Sequence, residues 1–199
     1  MEPARMERGP DTFAHSIASL MKPFSGPWAV AGGWSLDLYM GRVTRSHADI
    51  EVAIFRHDQQ LLHQCFLGWD FSKVSSGKRI PWRPNDTLRL PIHELHGQSR
   101  ENPSLKMEFL LNERMGDDWV FRRRQMIRLP LSRAICATSV GVPVLNPAIV
   151  LLYKSKSPRP KDEADFYSAL PSLSPHDHEW LHHALEACHP RHEWLSHLH

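Results

Sequence analysis

An α/β fold, with a mixed sheet flanked by helices and a C-terminal helical cap, is predicted by three features of the sequence. Short apolar stretches of strand character alternate with segments of helical period up to about residue 145. Glycine and proline punctuate those segments at the places where elements must end. Beyond residue 145 the texture changes to helix-forming stretches separated by proline. The division expected is a core at 1–145 and a helical region at 146–199.

The elements follow in order. Asp11 is a suitable N-cap, and Phe13, Ile17, Leu20 and Met21 mark one face of a helix that Pro23, Gly26 and Pro27 end. Trp28 to Ala31 reads as a strand running into Gly32-Gly33, and Trp34 to Met40 as a short helix stopped by Gly41. Ile50 to Phe55 is the next strand, Asp58 caps a helix over 59–67, and Phe71 to Val74 is extended. Residues 76–103, rich in Pro, Gly, Arg and His, predict loops with short strands near 88–90 and 92–95. Leu105 to Leu111 is a strand, with shorter ones at 119–122 and 127–129 and a Gly141 turn within 138–145. Asn146-Pro147 supplies the N-cap and N1 of a helix through Lys156. Helices at 161–170 and from Ser174-Pro175 to about His189-Pro190 follow, then a short terminal one.

Composition narrows the function classes. The 199 residues fit one domain, or one domain with a small appendage. Hydrophobic content of 41% and charge of 23% are those of a globular chain, and the net charge of +2 argues against a large non-specific nucleic-acid surface. Cys65, Cys136 and Cys188 form no CxxC pair, so reduced thiols are expected rather than a zinc ribbon or disulfide framework. The first ten residues are charged and lack an apolar signal core, and no apolar run nears the ~20 residues that span a bilayer. A cytoplasmic protein, monomeric or a small homo-oligomer, is expected.

The chemistry is concentrated in residues 32–52, GGWSLDLYMGRVTRSHADIEV. A glycine turn lets the backbone approach a phosphate, and the helix beyond it offers free N–H groups. Asp49 and Glu51, two apart on a strand, leave the same face, while Ile50 and Val52 point into the core. Two such carboxylates can share a hard divalent cation such as Mg2+. Glu108 is the one acid inside an apolar strand and offers a third carboxylate, able to accept a proton from an attacking hydroxyl.

These residues resemble the polymerase-beta-like nucleotidyltransferase superfamily, whose pattern is a Gly-Gly or Gly-Ser turn, a spacer, then Asp-x-Asp/Glu on a strand. The spacer here is 15 residues. GGW-x-x-D followed by GRVTR-x-H-x-D-I-E is similar to the aminoglycoside 2''-adenylyltransferase group. MEFLLNE at 107–113, WVFRR at 119–123 and LLYKSKSPRPKDEADF at 151–166 resemble a related set of bacterial proteins. The resemblance implies a nucleotidyltransferase-type sheet, Mg2+ on Asp49 and Glu51, Glu108 as third acid and candidate base, and Gly32 and Gly33 cradling nucleotide phosphates. Ala148 departs from the Glu expected after the proline, and two Glu replace the Asp of many relatives.

Further phosphate contacts are candidates at Arg42, Arg45 and His47, and at Lys154 or Lys156; solvated basic surfaces are the plainer reading of both groups. The acids beside those lysines could instead attract a cationic substrate. Asp37 is expected to pair with a nearby Arg. Eight C-terminal histidines include His178 and His182 at helical spacing, but no Cys or carboxylate completes a metal set. The expected activity is Mg2+-dependent transfer of AMP from ATP to a hydroxyl of a small molecule, an aminoglycoside-like antibiotic being the acceptor that the resemblance implies. A protein or RNA acceptor, and a noncatalytic nucleotide-binding module, are the alternatives.

Overall fold

The computed structural model describes residues 9–75 and 77–198. The expected reading of residues 1–8 and the last of the C-terminal histidines, His199, fall outside that range. Helix α1 (Pro10–Met21) starts one residue before Asp11, with Gly9 as N-cap and Pro10 at N1. Asp11 lies in the first turn instead, where its charge still favours the helix dipole. The turn sequence brings β1 (Trp28–Val30) directly into α2 (Gly32–Met40), so the diglycine is the first turn of the helix rather than a loop before it. Gly41, at φ 67°, ends α2 in the left-handed conformation.

Strand β2 (Glu51–Phe55) begins two residues after Asp49, which therefore sits on the approach to the strand and not on it. The predicted helix over 59–67 contracts to a 3-10 turn at Arg56–Asp58 and α3 (Leu61–Cys65). Strands β3 (Trp69–Ser75), β4 (Lys78–Pro81), β5 (Glu94–Ser99) and β6 (Lys106–Met115) follow. No strand forms at 88–90, because the buried Gln59 side chain takes over the backbone there. Its Oε1 accepts from the Leu88 N–H at 2.6 Å and its Nε2 donates to the Leu88 carbonyl at 3.3 Å.

Strands β7 (Asp118–Val120) and β8 (Arg128–Pro130) extend the far end of β6. A one-turn helix α4 (Leu131–Ala134) and a hairpin of β9 (Ile135–Ala137) and β10 (Pro143–Leu145) complete the sheet-bearing part. The main sheet runs β4-β3-β5-β6-β2-β1-β10-β9. It is mixed: β2 is parallel to β6, and β1 is parallel to β10, while the other neighbours are antiparallel.

Each face of the sheet buries a core. Val30, Val52, Ile54 and Phe109 pack with Phe13 and Ile17 of α1 on one side. Ala29, Ala53 and Phe55 point to the other, against α5 (Pro147–Lys154), α6 (Pro160–Ala169) and α7 (Pro175–Cys188). Leu151, Phe166, Leu185 and Trp194 thus share one apolar core with the strands, so the helices after residue 145 are a layer on the sheet. Asn146 caps α5 and Ser174 caps α7, each accepting a backbone N–H, as the sequence predicts. No helix among the described residues is long and apolar enough to cross a membrane.

Candidate active site

The sheet register assembles an acidic row. Glu51 of β2 pairs with Glu108 of β6, and Glu108 pairs in turn with His96 of β5. Cross-strand partners share a face, so three polar side chains from three strands stand side by side on the face that packs against α5. The Glu108 N–H donates to the Ile50 carbonyl at 2.8 Å, which carries the ladder back to the residue after Asp49. Asp49, Glu51, Glu94 and Glu108 all line one cleft of about 450 Å³, together with Gly32 and Gly33.

The glycines are required by close approach. The Ala31 N–H donates to the Glu51 carbonyl at 2.8 Å, pinning the start of α2 against β2. A side chain on Gly32, whose φ is 60°, would run into the Glu51 carboxylate; one on Gly33 would run into His47 and Arg45. Asp37, expected to meet an arginine, instead binds His47 Nε2 at 2.5 Å and accepts from the Thr44 hydroxyl at 2.6 Å and the Thr44 N–H at 3.1 Å. It is fully buried, and it holds the 42–48 loop against α2.

The basic candidates divide. Arg42 is exposed and does not line the cleft. Arg45 lines it, but its guanidinium forks onto Asp165 through two bonds of 2.8 Å. Lys154 Nζ binds Asp162 at 2.7 Å and Asp165 at 2.9 Å, and Arg159 Nε also binds Asp162 at 2.7 Å. These three cations are therefore engaged by two acids of α6, Asp162 and Asp165, which offset most of their charge. Lys156 and Lys161 also line the cleft and form no salt bridge with any described residue.

Electrostatics follow from crowding. Burial raises the Glu51 carboxyl above its ordinary range, Lys154 pulls it back, and Asp49 and Glu94 push it up again. Glu108 is pushed up to about 7, first by burial and then by Glu94, Asp49 and Glu51. Glu94 and His96 escape a sequence reading that treats 76–103 mainly as loop. His96 bridges Glu94, at 2.7 Å, and Glu108, at 3.3 Å. The tightest potential metal-binding grouping of this region is Glu94, His96 and Glu108, whereas the Glu51 carboxylate leans on Gly32.

Asp162 and Asp165 move the other way. Burial alone would raise both, but bonds from Arg159 and Lys154 to Asp162, and from Arg45 and Lys154 to Asp165, outweigh it and hold both below the usual range. A carboxyl lowered by folding adds stability that is present above its unfolded value of ~3.9 and is lost as pH falls through the folded one. Asp165→Ala is expected to cost the low end of ~3–5 kcal/mol, because Arg45 and Lys154 lose a buried partner. Urea denaturation at pH 7 measures the loss, and the variant should show a shallower fall in stability below pH 4.

At the C-terminus the His178–His182 pairing does not form a metal site. His178 Nε2 lies 3.0 Å from the Leu170 carbonyl, and His192 Nε2 lies 2.9 Å from the Ser155 carbonyl, fastening α7 and the chain end to the core. His182, His183 and Glu186 do bring ligand atoms together on α7, so a carboxylate completes a set there, contrary to the expectation from sequence.

Comparison with known proteins bears on the fold. The aminoglycoside-2''-adenylyltransferase family model matches residues 14–81, the segment holding Gly32, Gly33, Asp49 and Glu51. No curated protein sequence matches the chain. Among solved structures, that of the antibiotic-resistance factor ANT(2'')-Ia in solution superposes with a TM-score of 0.58 at 17% identity, covering 95% of this chain and 97% of that one. The crystal structure of ANT(2'')-Ia in complex with adenylyl-2''-tobramycin gives 0.55 at 18% identity, covering 89% and 97%. The lincomycin-bound lincosamide antibiotic adenylyltransferase LnuA gives 0.55 at 15% identity, covering 81% and 96%. The chain has the fold of these nucleotidyltransferases, and its N-terminal half carries the sequence likeness.

Proposed function

We propose that this protein transfers AMP from ATP to a hydroxyl group of a small molecule. The observation that carries this reading is the convergence of Asp49, Glu51 and Glu108 in one cleft, beside a helix-opening diglycine. The acceptor oxygen attacks the α-phosphorus, the bond to the β-phosphate breaks, and pyrophosphate leaves. Glu108, with a carboxyl near neutrality, is suited to take the hydroxyl proton. Gly32 and Gly33 bring backbone N–H groups of α2 to the phosphates. Lys156 and Lys161 line the cleft without a salt bridge to any described residue and can meet the triphosphate, whereas Lys154 and Arg45 fix the α6 wall.

The donor set fits Mg2+. Asp49, Glu51 and Glu108 offer oxygen only, and their mutual repulsion is what a divalent cation relieves. When bound there, the cation supplies neutralisation of the triphosphate and activation of the acceptor hydroxyl. The reading puts the reaction in the cytoplasm, where ATP and Mg2+ are at hand.

The test is incubation with ATP and Mg2+ against a panel of hydroxylated small molecules that includes aminoglycosides and lincosamides. Mass spectrometry is expected to find an acceptor heavier by one AMP, with pyrophosphate released in equal amount. ATP binding with neither adduct nor pyrophosphate across the panel would favour a noncatalytic nucleotide-binding module.

A further inference from the structure

The cleft has a second positive region that transfer itself does not use. Arg122 and Arg123 follow β7, in the turn that leads to β8, and both line the cleft. Neither forms a salt bridge with a described residue. The Tyr153 ring positions them: the Arg122 guanidinium lies 4.5 Å from the ring centroid and that of Arg123 lies 5.3 Å away. Arg123 Nη1 also donates to the Tyr153 carbonyl at 3.3 Å. The Tyr153 hydroxyl beneath them is buried, and Arg122 is the side chain that acts on it as a hydrogen-bond donor.

Two adjacent guanidinium groups repel, and an anion bound between them relieves that repulsion. A guanidinium held over an aromatic ring carries five donors, so the single bonds made to Tyr153 leave most of them for a planar or tetrahedral anion. This contrasts with Arg45, Lys154 and Arg159, each of which is ion-paired with Asp162 or Asp165. The two regions also have different neighbours. Arg45 crowds the Gly32–Gly33 turn, where nucleotide phosphates are proposed to bind. Arg122 and Arg123 group with Tyr153, and they are the cations that act on His93 beside Glu94.

We propose that the acceptor carries a negative charge, and that Arg122 and Arg123 bind its carboxylate or phosphate while its hydroxyl reaches Glu108. The proposal rests on the transfer reading above and deepens it. It sets the acceptor apart from a polycationic amino sugar, which the unpaired arginines would repel.

The experiment measures binding separately from turnover. Wild-type protein, with Mg2+ and an ATP analogue blocked at the α,β-bridge, is titrated with gluconate, glucose 6-phosphate and tobramycin. The same titrations are run on Arg122→Gln/Arg123→Gln. At least one of the two anions is expected to bind the wild type more tightly than tobramycin does, and to lose affinity by about tenfold or more in the variant. The analogue itself is expected to bind both proteins alike. Preference for gluconate or for glucose 6-phosphate identifies the carboxylate or the phosphate. Tighter binding of tobramycin, binding of neither anion, or loss of the analogue instead of the anion would each overturn the proposal. The last would assign the pair to the triphosphate. An AMP-transfer assay on the wild type reports on the transfer reading by itself.

Discussion

Glu51→Gln is expected to lower AMP transfer about a thousandfold or more while the protein stays folded. Glu51 opens β2, pairs in register with Glu108, and presses its carboxylate onto the diglycine turn. In the proposed reaction it holds the cation that neutralises the triphosphate, and such charge neutralisation is worth several kcal/mol in the transition state, about tenfold in rate for each 1.4. Glutamine preserves the shape and one carbonyl oxygen but removes the charge. The fold should not suffer: burial and neighbouring acids already raise the Glu51 carboxyl, so its ionised form is a strain on the native state. Single-turnover transfer and thermal denaturation on the same sample check both halves. Transfer at the wild-type rate would remove Glu51 from the metal site.

Glu108→Gln is expected to abolish transfer as well, but with ATP–Mg2+ binding retained, because Gln keeps a carbonyl oxygen but cannot take the acceptor's proton. Its effect on stability has a definite sign. The Glu108 carboxyl stands at about 7 in the folded protein, against ~4.3 when exposed in the unfolded chain. The folded state therefore holds a proton that the unfolded state releases. This contribution is fully present below about pH 4, and is lost as pH rises through 7. In metal-free buffer the wild type should be less stable at pH 8 than at pH 5.5 on this account. Glu108→Gln should flatten that decline and melt at a higher temperature at pH 8. A variant that melts lower at pH 8 would mean that the charged carboxylate is a stabilising partner of His96 instead. Loss of ATP–Mg2+ binding would make Glu108 chiefly a ligand.

Much of the fold was legible because local rules and tertiary packing agree. Gly41, Asn146, Ser174 and the prolines sit where helices start or stop, and the apolar alternation of β6 is unbroken from Met107 to Phe109 to Leu111. The strand expected at 92–95 is the start of β5, and its extension to Ser99 was obscured by Gly97. Phe71, Phe109 and Trp69 crowd that position and leave no room for a side chain, so the apolar alternation has a gap where the packing is tightest. Glu94 and His96 were missed with it. The spacing of Asp49 and Glu51 predicts two acids on one strand face; both line the cleft, but Asp49 lies before β2, whose start depends on its partner strands. The partners of Asp37 and of Lys154 were not readable either. His47 reaches Asp37 by the folding back of a loop, and Asp165 meets Arg45 across 120 residues. Arg122 reads as the end of a strand over 119–122; the use proposed for Arg122 and Arg123 depends on Tyr153 of α5, which only the tertiary fold brings beneath them.

The central claim is that Asp49 and Glu51 hold a cation that the triphosphate shares. ATP titration by calorimetry, with Mg2+ and then with EDTA, tests it without needing the acceptor. Wild-type protein is expected to bind ATP at least about tenfold more tightly with Mg2+, because two unscreened carboxylates repel the triphosphate when the cation is removed. Asp49→Asn/Glu51→Gln is expected to bind ATP in EDTA as well as the wild type does or better, and to gain little from Mg2+. Equal wild-type affinity for ATP in Mg2+ and in EDTA would contradict the claim.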